Sequence, residues 1–158
     1  EMYYNSRDFI NDLKNYKEWK EREQGQLYLL DKLYYLRYEK IKSPLDYEIV
    51  GYKGDEAIRA IKHSTHVSND KILQAQENID KEIERVSKLL KRCQMIIKRV
   101  DKQLDALPEI KSACIEIYIN GNSYDKVARE MNMSRASLIR LVKSNLAKID
   151  SVYKTDES

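Results

Sequence analysis

The strongest constraint on the fold of this chain is a heptad pattern in its second half. Apolar residues follow one another at alternating steps of four and three, at Ile79, Ile83, Val86, Leu90, Cys93, Ile97, Val100, Leu104 and Leu107. This spacing, held over about four heptads, indicates a long α-helix whose apolar stripe packs against other helices. Leu89 and Ile96 widen the stripe, so we expect two neighbours: the first long helix, and either a third helix or a second copy of the chain. A plain antiparallel hairpin within one monomer is the alternative.

The composition agrees with long helices. The 158 residues include only four glycines and two prolines, and 35% are charged, which favours helices with solvated faces over a sheet protein. A first helix is expected from about Ser6, a residue suited to the N-cap, to Ile41, before Pro44 ends it. A second helix is expected to begin near residues 68–70. It should end or kink at Leu107-Pro108, because proline breaks a helix interior.

Residues that usually carry chemistry are scarce. The segment between the two helices predicts a connection with one short helix starting near Asp55-Glu56, and its His63 and His66 have no cysteine nearby that would indicate a metal site. Cys93 and Cys114 lie in apolar helical positions and are expected to be reduced core thiols. No phosphate-cradling glycine loop, nucleophile elbow or zinc-protease pair is present. We therefore expect neither catalysis nor a cofactor.

Net charge and hydropathy say little about whether the chain binds nucleic acid or a membrane. The net charge is +3, from 29 basic and 26 acidic residues, which is too small to indicate nucleic acid without its distribution. No apolar stretch approaches the roughly 18 residues of a membrane helix, and no amino-terminal signal pattern is present. We expect a cytoplasmic protein with no membrane partner.

The stretch from Ser123 to Ile149, SYDKVAREMNMSRASLIRLVKSNLAKI, has the pattern of two short helices with a tight joint. Ser123 is suited to cap a helix over Tyr124–Met131, and Ser134 is suited to cap the next one. Asn132 stands in the joint, where asparagine tolerates a left-handed conformation well. A joint of about three residues between two such helices is typical of a helix-turn-helix. The inner face of the second helix is expected to carry Leu138, Leu141, Val142, Leu146 and Ile149.

The outer face of that second helix is basic. From Ser134 to Ile149 the sequence contains four basic residues and no acidic one. The small Ala136 and Ser137 allow close approach to base edges, and Arg135 and Arg140 can donate to guanine in double-stranded DNA. The alternative is a three-helix bundle with a solvated basic face. Phosphate contacts are assigned to Ser134, Lys143, Lys126 and Arg129, and Ser144 completes the predicted DNA-binding surface.

Residues 107–149, LPEIKSACIEIYINGNSYDKVAREMNMSRASLIRLVKSNLAKI, resemble region 4 of bacterial sigma factors, the domain that reads the promoter. The similar parts are the LP opening, the helix ending in YINGNSY, the VA pair and the Ser134 cap. Asn132 departs from the usual glycine of that family. Ile139 and Leu141 stand where the family often has polar or basic residues, so the resemblance leaves the register on DNA open.

The layout of the whole chain, a helical front region before a sigma-region-4-like domain, resembles phage regulators of late transcription of the ArpU-like and RinA-like kind. This resemblance implies a bacteriophage or prophage protein acting in a bacterial host cell. It would activate packaging, structural or lysis genes. Host RNA polymerase would then be a further partner.

These patterns predict an all-α chain, with a long antiparallel helical hairpin or coiled coil followed by a small helix-turn-helix bundle. Residues 1–106 form the expected oligomerisation or partner-binding region, and residues 107–152 the DNA-binding domain. A dimer doubles the few base pairs that one helix-turn-helix reads, so we expect a homodimer through the long helices. Front-region tyrosines suit an interface, or alternatively they cover the edge of the hairpin. They are Tyr3, Tyr4, Tyr16, Tyr28, Tyr34, Tyr35, Tyr38, Tyr47 and Tyr52.

The function predicted from these features is sequence-specific DNA binding in the regulation of transcription. Two other classes of protein combine similar parts. One is a phage packaging protein of the small-terminase kind, which forms a ring, although such proteins usually place the DNA-binding domain first. The other is a sigma-like module that binds RNA polymerase without reading DNA.

Overall fold

The fold is all-α, as the sequence predicts. The computed structural model describes residue 3 and residues 5–40, 47–49, 60–62 and 69–157. π-Helical turns extend the second helix over Leu36–Lys40 and the fourth over Ile115–Ile119. No helix within the described ranges is long and apolar enough to span a membrane. The helices are α1 (Ser6–Lys14), α2 (Tyr16–Tyr35), α3 (Asn69–Asp105), α4 (Lys111–Cys114), α5 (Tyr124–Glu130) and α6 (Arg135–Glu157).

The described part of the connecting segment is a pair of short strands, and the expected short helix from Asp55-Glu56 begins outside the described residues. β1 (Tyr47–Ile49) and β2 (Ala60–Lys62) pair antiparallel, with Glu48 opposite Ile61. The β-branched Ile49 and Ile61 have a high propensity for extended backbone. Asp55, Glu56, His63 and His66 lie outside the described residues.

The first predicted helix is divided into α1 and α2. Asn5, and not Ser6, is the N-cap of α1, because its Oδ1 accepts the N–H of Asp8 at 2.9 Å. Asn15 separates the two helices, and its side-chain amide donates to the carbonyl of Asn11 at 3.0 Å. Such a local side-chain bond competes with continued helix.

Contacts within the chain define two compact units, and the division differs from the expected boundary between 1–106 and 107–152. The terminal unit combines Glu1–Lys20 with Gln94–Ser158, and the central unit is Glu21–Cys93. The physical reason is that α1 and the end of α3 contribute to the same hydrophobic core as the predicted helix-turn-helix.

The core of the terminal unit is built from both ends of the chain. Phe9 and Leu13 of α1 are fully buried, and burying each such side chain contributes about 1.5–3 kcal/mol. Both belong to one cluster with residues of α3, α4, α5 and α6. The other buried members are Tyr3, Val100, Leu104, Leu107, Ile110, Ala113, Cys114, Ile117, Val127, Ala128, Leu138, Val142, Leu146 and Ile149.

Polar contacts fix the position of α1 in the terminal unit. Asp150 of α6 accepts the backbone N–H of Ser6 at 2.8 Å and its hydroxyl at 3.1 Å. The carboxylate therefore lies at the N-terminus of α1, where the helix dipole favours negative charge. Asp12 accepts from Arg99 of α3 at 3.0 Å. The same guanidinium lies 4.4 Å from the centre of the Tyr3 ring, a distance at which cation and ring attract each other.

In the central unit, the first long helix and α3 pack against each other. Arg37, just after α2, donates to Asp80 in the N-terminal half of α3 at 2.8 Å, as in an antiparallel hairpin. All nine heptad positions, eight in α3 and Leu107 just after it, are buried or half-buried, so the seam is already covered within one chain. The buried residues of this core are Leu29, Leu30, Leu33, Leu36, Ala75, Ile79 and Val86.

Both cysteines are free and buried, as expected for core thiols. Burial raises the pKa of the Cys114 thiol to about 12. The thiolate is the reactive form of cysteine, so this side chain behaves as an apolar core group at neutral pH.

Replacement of Phe9 by alanine should lower the free energy of unfolding of the terminal unit by about 3–5 kcal/mol, because it empties a buried aromatic site. Lys14→Ala, at an exposed position of the same helix, should change it by no more than about 0.5 kcal/mol. Urea denaturation followed by circular dichroism measures both. A cost below about 1 kcal/mol for Phe9→Ala would show that α1 is not part of this core.

Candidate nucleic-acid interface

The start of α5 is fixed by a cap and by the turn before it. Ser123 Oγ accepts the N–H of Lys126 at 3.2 Å, which satisfies one of the free donors of the first turn. Gly121 adopts a φ of +74°, a conformation that glycine reaches without steric cost. Glu116 stabilises the turn through two hydrogen bonds. Its carboxylate accepts from Asn122 Nδ2 at 2.5 Å, and its backbone carbonyl accepts the Asn122 N–H at 2.8 Å. The predicted NGN turn thus sets where α5 begins.

The joint between α5 and α6 is a Schellman motif with asparagine at the left-handed position. Asn132 has a φ of +55°, as predicted. Its N–H donates to the Arg129 carbonyl at 3.1 Å, and the N–H of Met133 donates to the Ala128 carbonyl at 2.9 Å. These two bonds satisfy carbonyls that the end of α5 would leave without partners. The direction in which α6 leaves the joint is therefore set by backbone bonds.

The inner face of α6 packs into the core of the terminal unit. Leu138, Val142, Leu146 and Ile149 are buried, as predicted, whereas Leu141 is half-buried.

Asn145 is a buried polar residue that the apolar pattern of α6 does not indicate. It is only 2% exposed. Its amide donates to Glu109 at 3.3 Å and to the Leu141 carbonyl at 3.0 Å, and its Oδ1 accepts from Lys148 at 3.2 Å. Because these bonds satisfy the amide, its burial carries no penalty of an unpaired polar group.

The opposite face of α6 is exposed and free of acidic side chains from Arg135 to Ile149. Ala136, Arg140 and Lys143 lie on this face, and all three are exposed. Arg140 and Lys143 make no side-chain hydrogen bond or ion pair within the described part of the chain. Two cations are therefore available to an external anion, and Ala136 presents little bulk one turn before Arg140.

The three serines of the predicted interface serve α6 itself. Ser134 Oγ accepts the N–H of Ser137 at 3.1 Å, which confirms its role as a cap, and the two hydroxyls lie 2.8 Å apart. Ser144 donates its hydroxyl proton to the Leu141 carbonyl at 3.0 Å. These bonds use part of the hydrogen-bonding capacity of the three serines. Arg135 and Arg140 are therefore better suited than the serines to read bases.

The remaining predicted cations make their contacts near the start of α5, where the acidic residue Asp125 lies. Arg135 Nε lies 3.6 Å from the Asp125 carboxylate, across the joint. Arg129 Nε donates to the Asp125 backbone carbonyl at 3.4 Å, and Lys126 Nζ donates to Asn122 Oδ1 at 3.4 Å. All three cations are exposed. Asp125 is not among the predicted interface residues, although an acid in the first turn of α5 is the signal that could have indicated it.

The chain matches no protein-family model, no curated protein and no solved structure. The similarity to sigma-factor region 4 and to phage late regulators therefore stays a prediction. The candidate interface rests on the geometry of α5, the joint and α6.

Asn132→Gly should leave the free energy of unfolding within about 0.5 kcal/mol of the wild type, because glycine reaches the left-handed region without cost. Asn132→Val should lower it by about 1–2 kcal/mol, since a β-branched residue is strained there. Denaturant unfolding compares the three chains. Equal stability of the valine variant would show that the joint can adopt another backbone path.

Proposed function

We propose that this chain is a sequence-specific regulator of transcription that binds double-stranded DNA and reads the major groove with α6. The observation that carries the proposal is the exposed, acid-free face of α6, held at a fixed angle by the Schellman joint. In a helix-turn-helix the second helix enters the major groove with its N-terminal residues on base edges. Ala136 and Arg140 occupy that half of α6.

The proposed contacts divide into base reading and phosphate binding. Arg140 has the planar donor fork that matches guanine O6 and N7, and Ala136 lets the helix backbone approach. Phosphate contacts are proposed for the cations beside Arg140, which are Lys143, Lys126 and Arg129. Such contacts fix the register of the protein on DNA without reading the sequence. Arg135 is also exposed, and its Nε lies 3.6 Å from the Asp125 carboxylate, so Asp125 competes with DNA for this guanidinium.

The biological setting rests on the resemblance of residues 107–149 to sigma-factor region 4 and of the chain layout to phage late regulators. On that basis we propose phage or prophage late genes as targets and host RNA polymerase as a second partner. We also propose a homodimer, because one helix-turn-helix gives little specificity against a genome of competing sites. A ring of many subunits would instead favour a packaging protein, and polymerase binding without DNA binding would favour a pure interaction module.

Arg140→Ala should cost on the order of 1–3 kcal/mol of binding free energy and relax preference at one base position. Lys143→Ala should weaken binding to all DNA sequences alike, and it should reduce the salt dependence of binding by about one phosphate contact. The preferred site is first selected from random DNA, and affinities are then measured by fluorescence anisotropy over a series of salt concentrations.

The matched control is Lys14→Ala, which removes an exposed cation from α1, outside the two helices of the interface. Its affinity for DNA should equal that of the wild type. Equal, sequence-independent losses for Arg140→Ala and Lys143→Ala would contradict base reading by Arg140. No selectable site for the wild-type chain at low salt would reject the proposed function itself.

A further inference from the structure

The central unit has an exposed aromatic face on α2 and its π-helical extension. This tyrosine face consists of Leu27, Tyr28, Tyr34, Tyr35 and Tyr38, and its four tyrosines are 46–61% exposed. At 3.6 residues per turn, all five fall within a sector of about 120°. They lie opposite the buried leucines of the same helix. Exposed aromatic residues gathered on one face are typical of an interaction surface.

Two side chains of the tyrosine face, Tyr34 and Tyr38, are ordered by contacts within the chain. Tyr34 and Tyr38 stack with ring centres 6.2 Å apart and an angle of 13° between the planes. Arg37 lies 5.1 Å from the centre of the Tyr38 ring, and Arg37 is itself fixed by its hydrogen bond to Asp80. Ordered aromatic rings lose little conformational entropy on binding.

We propose that the tyrosine face binds the same face of a second copy of this chain, through antiparallel packing of α2 against α2 about a two-fold axis. The inference rests on the proposed function for the need to join two DNA readers. The heptad seam of α3 does not supply this contact, because its residues are already buried or half-buried. In the described part of the central unit, the exposed aromatic side chains are gathered on the tyrosine face.

The charges on this face suit a second copy. Asp31 is exposed between Tyr28 and Tyr34, and the neighbouring Lys32 ammonium lies 5.3 Å from the centre of the Tyr28 ring. The positive charge is thus kept beside the face. With the axis between residues 31 and 32, each Asp31 faces the partner's Lys32, and Tyr28 faces the partner's Tyr35. A two-fold contact is self-complementary in this way, and each attractive pair occurs twice.

The tyrosine face supplies part of the area that such a contact needs. A tyrosine buries about 150–250 Å² in full, so four half-exposed tyrosines offer on the order of 400 Å² on each copy. Two copies then bury about 800 Å² of aromatic surface, against roughly 1,200–2,000 Å² in a stable interface. The tyrosine face would form the centre of the contact, with flanking polar residues as its rim.

Analytical ultracentrifugation of the full chain at increasing concentration tests the inference. The wild type should dimerise at tens of micromolar or below. Tyr28→Ala with Tyr35→Ala should raise the dimer dissociation constant by about tenfold or more. Leu73→Ala, which removes an equally exposed apolar side chain from α3 of the same unit, is the control and should leave the constant unchanged. Circular dichroism checks that each variant keeps its helical content.

Charge reversal tests whether the partner is a second copy. Asp31→Lys alone and Lys32→Asp alone should each weaken the dimer, because like charges then meet twice, and the double variant should restore it. If the single variants weaken the dimer and the double variant does not restore it, the proposed axis is wrong. If the wild type is monomeric at about 100 micromolar, both with and without DNA, the inference is overturned. DNA binding by that monomer would leave the proposed function standing. If the chain dimerises but selects no DNA site, the proposed function is rejected and the proposed dimer interface stands.

Discussion

The terminal unit depends on the burial of α1 against α6. Phe9 and Leu13 enter the core that also holds Val142 and Leu146, and Asp150 accepts from Ser6, 144 residues away in sequence. Closing so long a loop costs entropy, although the cost grows only slowly with length. The burial of two large side chains and a charge-assisted helix cap offset it. As a result, α6 is supported by α5 at one end and by α1 at the other.

A helix supported on its inner face has only its outer side chains left for an external ligand. On α6, the serines bond to the helix itself, Asn145 is turned into the core and Arg135 lies beside Asp125. The exposed cations with no partner in the described residues are thereby reduced to Arg140 and Lys143 on this helix. Asp125 adds a negative charge at one edge of this basic surface, so the electrostatic potential is less positive near its carboxylate than around Arg140 and Lys143.

Much of the local structure could be predicted because its causes lie within a few residues. The caps at Ser123 and Ser134 and the left-handed Asn132 are decided by side chains next to the backbone groups they serve. The place of α1 could not be predicted in this way. Its apolar residues Phe9 and Leu13 show a buried helix face, but periodicity does not say which of several apolar surfaces will cover it. The expected boundary at residue 106 assumed that neighbours in sequence share a core, whereas α1 shares its core with α6.

The heptad seam of α3 illustrates the same limit. A heptad repeat of apolar residues indicates that a helix packs against other helices. It does not show whether those helices belong to the same chain or to another copy. A helix in the same chain is present at a high effective concentration, so α2 and α1 can fill the seam before a second chain is met. The core that stabilises each unit is then complete in one molecule. Any association of copies uses surface outside that core, and folding and assembly can therefore respond separately to substitution, concentration and salt.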